Sequence, residues 1–139
     1  GVDSNYAAVI PSFIDKVISG KELTIFGDGK QSRDFVEVSD VVSFIELILS
    51  HQQAMPNGVY NVATQNQKTI LNLAEIICDS VAKIDDKLTI PKITHLGKRS
   101  GDIDHSCADI SKAKLAFGWQ PEIELERGIM VLVEHELRR

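Results

Sequence analysis

The chain has 139 residues, of which 43% are hydrophobic and 25% charged, and its formal net charge is −5. That is one domain with enough apolar content for a modest core. An acidic balance argues against the basic face a nucleic acid would need. No apolar run approaches the roughly 18 residues of a membrane span. Neither nucleic acid nor membrane is therefore an expected partner. Cys78 and Cys107 are too far apart for a C-x-x-C metal pair and are expected to stay reduced. The N-terminus lacks a basic-then-apolar leader, so a cytoplasmic location is expected. The first residue is Gly1, and the segment 1–5 reads as a cloning remnant or the interior of a longer reading frame, with removal of an initiator methionine before glycine as the alternative.

Helix and strand periods alternate along the chain. Val9, Ile10, Phe13, Ile14, Val17 and Ile18 recur at helical spacing, with Pro11 in the first turn and Gly20 just past the end. Leu23 to Phe26 is a β-rich run, Gly27 to Lys30 a turn, and Asp34 to Val38 an alternating run. These two runs are expected as a hairpin or as neighbouring short strands. Ser39 or Asp40 is expected to cap a helix carrying Val41, Val42, Ile45, Ile48 and Leu49. Pro56-Asn57-Gly58 breaks the chain, and Val59 to Ala63 reads as a strand. Thr69 caps a helix through Ile70, Leu73, Ile76, Ile77 and Val81. Leu88 to Leu96 reads as extended, with Pro91 confining any strand there to an edge. Asp109 is expected to cap a short helix that Gly118 ends, and a last helix runs from about Leu125 to Leu137. The sum is an α/β unit, or α+β taken by itself.

The usual catalytic sets are not found. Gly27-Asp28-Gly29 supplies two glycines, but position 32 is serine and a strand-like run follows, so this is a turn and not a dinucleotide loop. His51, His95, His105 and His135 show no metal spacing. A His105–Cys107 pair is conceivable, but near neighbours in a chain rarely aim at each other. Tyr6 and Tyr60 lack a lysine four residues on, so neither forms a Tyr-x-x-x-Lys pair. No residue is assigned a catalytic, metal-binding or cofactor-binding role.

Two arginines stand out. Arg33 opens a strand after a glycine turn, and Arg99 lies in a loop with Gly101 and Asp102. Planar guanidinium forks suit phosphate oxygens. A loop carboxylate such as Asp102 can accept from two ribose hydroxyls, and the strand Thr24-Ile25-Phe26 can offer backbone groups to a base edge. The competing reading pairs Arg33 with Asp34 or Glu37, and Arg99 with Asp102, as surface ion pairs.

An ordered set of motifs resembles the extended short-chain dehydrogenase/reductase family, specifically its NAD-dependent sugar-nucleotide epimerases and dehydratases. The set is Val9 to Ile14, Leu23 to Phe35, Val38 to Val42, Tyr60 to Ala63, Arg99 to Ile103, Ser106, Ala108 to Ala113 and Gly118 to Pro121. It spans nearly the whole chain and is closest to members similar to UDP-glucose 4-epimerase. The resemblance implies that residues 1–139 are the C-terminal substrate-binding part. The 59–63 strand and a helix would join the Rossmann sheet of the complete enzyme. It implies a UDP-sugar partner whose diphosphate meets Arg33 and Arg99 and whose ribose meets Asp102. The base would lie beside Thr24, Ile25, Phe26 and Val9, with Gln31 as a further contact.

The family's Gly-rich loop and Tyr-x-x-x-Lys lie N-terminal to the matching region. The resemblance therefore places NAD and the catalytic groups on an N-terminal Rossmann domain that this chain lacks, in a homodimeric enzyme. It implies a chain inactive by itself, whose contribution is to hold UDP while the hexose turns over. A 4,6-dehydratase or decarboxylase would use the same anchor, and a stand-alone, non-catalytic nucleotide-sugar-binding module remains open. Ser100 stands where many relatives carry proline, which leaves that loop less rigid.

Overall fold

The structure is a computed structural model and describes residues 9–50 and 57–139. The readings placed on residues 1–8, including Tyr6, and on His51 and Pro56 lie outside the described residues. The elements in chain order are α1 (Val9–Ile18), β1 (Leu23–Phe26), β2 (Ser32–Asp34), α2 (Val38–Ser50), β3 (Gln67–Thr69), α3 (Ile70–Ile84), β4 (Ile93–Leu96), α4 (Ser111–Phe117) and α5 (Leu125–Leu137). The α/β expectation holds. Among the described residues no helix is long and apolar enough to cross a membrane.

The helical periods determine the main core. Val17 on α1, Leu73, Ile77 and Val81 on α3, and Ile129 and Val133 on α5 are all fully buried with Leu23 and Ile25 of β1. Each such side chain contributes about 1.5–3 kcal/mol on leaving water. The helix ends follow the local chemistry. Gly20 adopts φ 64°, and Lys21 N–H closes back on Lys16 C=O at 2.8 Å, which ends α1. The Thr69 hydroxyl accepts from Asn72 N–H at 3.0 Å and caps α3. Gly118, at φ 68°, ends α4.

A second core gathers Phe44 of α2, Tyr60, Phe117 of α4 and Trp119. Their rings meet edge-on, at 5.6 Å for Phe44–Phe117 and 5.3 Å for Phe44–Trp119. Trp119 Nε1–H donates to Ser43 Oγ at 3.0 Å, so the indole is buried without an unmet donor.

Several local expectations are corrected. The runs near 23–26 and 34–38 do not form a hairpin. β1 pairs in parallel with β4, Leu23 opposite Ile93, and β2 pairs antiparallel with β3, Arg33 opposite Lys68. The Gly27–Gly29 turn, with both glycines at positive φ, diverts the chain instead of reversing it onto β1. The second strand lies at Ser32–Asp34 and overlaps the expected 34–38 run only at Asp34. α2 begins at Val38, so Ser39 and Asp40 are inside the helix. The Glu37 carboxylate takes the capping bond from Ser39 N–H. Asp40 is instead 3% exposed and accepts from Glu122 N–H and Ile123 N–H at 2.9 and 3.1 Å, tying the entry of α5 to α2. Val59–Ala63 makes no ladder among the described residues. Side chains meet its backbone and its amide: Lys112 Nζ donates to Val59 C=O, and Asn61 Nδ2 donates to Asp109 C=O.

The residue expected to cap α4, Asp109, lies one position before the cap itself. Ile110 is the N-cap, and the Asp109 carboxylate accepts from Ser111 N–H at 2.8 Å. The bonds from Ser111 hold the Asp109 carboxyl below its ordinary value.

Candidate functional site

β1 forms the floor of the candidate site. Leu23 N–H bonds Lys92 C=O and Gly27 N–H bonds Leu96 C=O. Successive residues of a strand face opposite edges, so residues 23, 25 and 27 turn their backbone groups to β4. Thr24 and Phe26 turn theirs to the open edge. The side chains alternate as well: Leu23 and Ile25 enter the core, while Thr24 and Phe26 are half-buried on the other face. Gln31 Nε2 donates to Phe26 C=O at 2.8 Å, which folds the 27–31 turn back over the strand end.

A cavity of about 280 Å³ opens over this floor. The structure brings all eight residues singled out from the sequence to its wall: Val9, Thr24, Ile25, Phe26, Gln31, Arg33, Arg99 and Asp102. They come from α1, β1, the following turn, β2 and the loop after β4. Sequence reasoning missed Ser12 and Lys16, which line the same cavity one helical turn apart on α1. Their only sequence signal was the i, i+4 spacing beside Val9.

Neither arginine makes the ion pair that the competing reading gave it. Arg33 reaches 69 residues along the chain to Asp102, Nη2 to Oδ1 at 2.8 Å, with both side chains 27% exposed. Its Nη1 donates to Ser32 C=O at 2.8 Å and to Ile103 C=O at 2.6 Å. A guanidinium carries five N–H donors, so two remain for a ligand. Arg99 does not pair with Asp102. Its Cζ lies 3.6 Å from the centroid of the Phe26 ring.

The loop carrying Arg99 and Asp102 is held at both ends. Lys98 and Asp104 form an ion pair across it. The Asp104 bond raises the Lys98 ammonium pKa, and Lys98 lowers that of the Asp104 carboxyl. Ser32 N–H bonds Asp104 C=O, and Ser106 N–H bonds Ser32 C=O. A second cavity of about 390 Å³ adjoins the first, shares Gln31 and Asp102 with it, and is lined also by Lys98, Asp104 and His105.

His105 meets Ser32 and not Cys107. The Ser32 hydroxyl donates to Gln67 Oε1, and His105 Nδ1 lies 2.9 Å from Ser32 Oγ. A serine committed in this way is not poised to lose its proton to the imidazole. Cys107 Sγ faces Asp34 Oδ2 at 3.8 Å. Asp34, passed over in the sequence except as a partner for Arg33, is the hub beside the site. It accepts from Thr64 N–H at 2.8 Å, Thr64 Oγ1–H, Gln65 N–H at 2.9 Å and Ala108 N–H at 3.4 Å.

The chain and its fold are matched in known proteins. A family model described as GDP-mannose 4,6 dehydratase matches residues 4–131. The chain belongs to this family. Its members among the relatives are sugar-nucleotide epimerases, dehydratases and decarboxylases of the extended short-chain dehydrogenase/reductase type. UDP-glucuronic acid decarboxylase 1 of Danio rerio is 30% identical over 131 residues, 94% of this chain and 29% of that protein. The UDP-N-acetylglucosamine 4-epimerase of Methanobrevibacter ruminantium M1, solved with UDP-N-acetylmuramic acid, is 36% identical with TM-score 0.82. The match covers 99% of this chain and 42% of that one. The UDP-glucuronic acid 4-epimerase of Bacillus cereus, solved with UDP-glucuronic acid and NAD, is 26% identical with TM-score 0.78, over 94% and 40%. The chain thus spans less than half the length of these family members.

NAD is bound in relatives of this family, and the Gly27–Gly29 turn does not have the form of a dinucleotide loop. The Gly27–Gly29 turn leads into β2, not into a helix N-terminus that could receive a pyrophosphate.

Proposed function

We propose that this chain anchors the UDP of a nucleotide sugar in an NAD-dependent 4-epimerase of the UDP-glucose type, and that NAD and the catalytic residues lie on a Rossmann domain outside it, in a homodimeric enzyme. The observation that carries this reading is the single cavity over β1. Its open strand edge suits a base. Asp102 suits the ribose hydroxyls. Arg99, with its N–H edge free, and the two remaining donors of Arg33 suit the diphosphate.

Anchoring a nucleotide has a mechanistic use. Interactions with the UDP remote from the reacting carbon hold it in place, so that only the hexose reorients while the chemistry runs elsewhere. The proposal therefore gives this chain binding and orientation, and gives it no proton or hydride transfer.

Calorimetric titration with UDP-sugars tests the reading. Arg33→Ala and Arg99→Ala should each weaken binding by about 1–3 kcal/mol, the scale of charge-assisted hydrogen bonds. Unchanged affinity in either variant would sink it. This chain supplied with NAD should show no turnover, and measurable epimerisation would refute the division of labour. The similarity to a UDP-glucuronic acid decarboxylase supports a second reading, in which the same anchor serves decarboxylation. Product analysis with UDP-glucose and UDP-glucuronic acid in the complete enzyme separates the two.

A further inference from the structure

We propose that Phe26 is a positioning residue for Arg99: its ring holds the guanidinium by one face so that the N–H edge is presented to the diphosphate. This rests on the anchor reading above and assigns a role within it.

The geometry is specific. Arg99 Cζ stands 3.6 Å from the Phe26 centroid, well inside the range of cation–π attraction. A guanidinium is planar and its donors lie in that plane, so stacking uses the face and leaves the edge free. Among the described residues the Arg99 side chain has no hydrogen bond or ion pair, whereas three donors of Arg33 are already committed.

Arg99 lies in an exposed loop, and an arginine there is a long side chain with many rotamers. Ordering it on binding would cost affinity. The ring orders it beforehand. Phe26 can serve as a platform because it is itself fixed. Its backbone follows the β1–β4 ladder, and its carbonyl is held by Gln31. The consequence for the ligand is that one ring face is already covered. The base then meets β1 through the backbone groups that Thr24 and Phe26 still offer at that edge, and not by stacking on that face.

The test is a double-mutant cycle read by calorimetric titration of UDP into the protein, with circular dichroism confirming that each variant is folded. Phe26→Leu should weaken UDP binding by about two- to fivefold, the range of an exposed cation–π contact. Phe26→Tyr, which keeps the π face, should restore most of it. The double variant Phe26→Leu/Arg99→Ala should bind no more weakly than Arg99→Ala, because the ring acts only through the arginine. Uridine, which has no phosphate, should lose less affinity on Phe26→Leu than UDP does. Additive losses in the double variant, an equal loss for uridine and UDP, or no loss in Phe26→Leu would each overturn the proposal. If Arg99→Ala itself binds UDP as tightly as the unaltered protein, the diphosphate reading falls and this proposal falls with it. If Arg99→Ala is weakened and Phe26→Leu is not, the positioning role alone fails. Should Phe26→Leu not fold, Phe26→Ile carries the same comparison.

Discussion

Asp34→Ala should destabilise the protein by about 2–3 kcal/mol. The carboxylate holds Thr64, Gln65 and Ala108 through backbone N–H bonds of 2.8, 2.9 and 3.4 Å, and takes a fourth bond from the Thr64 hydroxyl. Gln65 is exposed, so water can replace its lost acceptor. Thr64 and Ala108 are half-buried, and their donors lose an acceptor at about 1–3 kcal/mol each. The exposed bond adds little, which sets the total near the sum of those two at the lower end of their range. Gln65 is also held at φ 57°, a conformation that its bond to Asp34 supports. For a domain of this length the midpoint of thermal unfolding should fall by roughly 8–12 °C, read by far-UV circular dichroism. Asp34→Asn distinguishes hydrogen bonding from packing. It keeps one acceptor but turns an NH₂ toward the Gln65 or Thr64 donors, so it should recover no more than half of the loss. A shift below about 2 °C in Asp34→Ala would refute the claim that this carboxylate holds the three segments together.

Other consequences follow from equally local causes. Asp40→Ala removes the acceptor of Glu122 and Ile123 N–H from a buried site, and should cost about 2–4 kcal/mol in denaturant titration. Gly29 is buried at φ +77°, and a Cβ there would stand 3.0 Å from Leu71 Cβ, so Gly29→Ala should cost at least about 1–2 kcal/mol in the same assay. Burial of Cys78, helped by the charges of Asp79 and Glu75, raises its thiol above the ordinary 9.0. The folded state therefore prefers the neutral thiol. That contribution is complete below pH 9 and is lost as pH rises through the folded value. The denaturation midpoint should decline above pH 9, and Cys78→Ala should flatten that decline; an identical slope in both would contradict it.

The helices were legible because each carries its own evidence. In α3 the apolar spacing, the Thr69 cap and the 15-residue length are all local, and the element spans Ile70–Ile84. α1 and α5 are of the same kind. Strand pairing was not legible, because it depends on residues far apart. β1 meets β4 across about seventy residues, and β3 is Gln-Lys-Thr, with no apolar alternation to mark it. The site was legible as a set of residues and not as a set of bonds. Arg33, Arg99 and Asp102 were identified by chemistry and by resemblance, and they do line one cavity. Their partners could not be read, since adjacency in sequence suggested Arg33–Asp34 and Arg99–Asp102 while the fold gives Arg33–Asp102 and Arg99–Phe26. The actual roles of Asp34 and Asp40 could not be read for the same reason: a carboxylate that bonds backbone donors thirty to eighty residues away has no local signature.

The most direct test of the nucleotide anchor is calorimetric titration of UDP into the protein and its Arg99→Ala variant under identical salt. The account predicts one site per chain, with a loss in the variant of roughly fivefold to a hundredfold, as expected when a charge-assisted phosphate contact is removed. Equal affinity of the two proteins for UDP, or no binding by the unaltered protein, would contradict it.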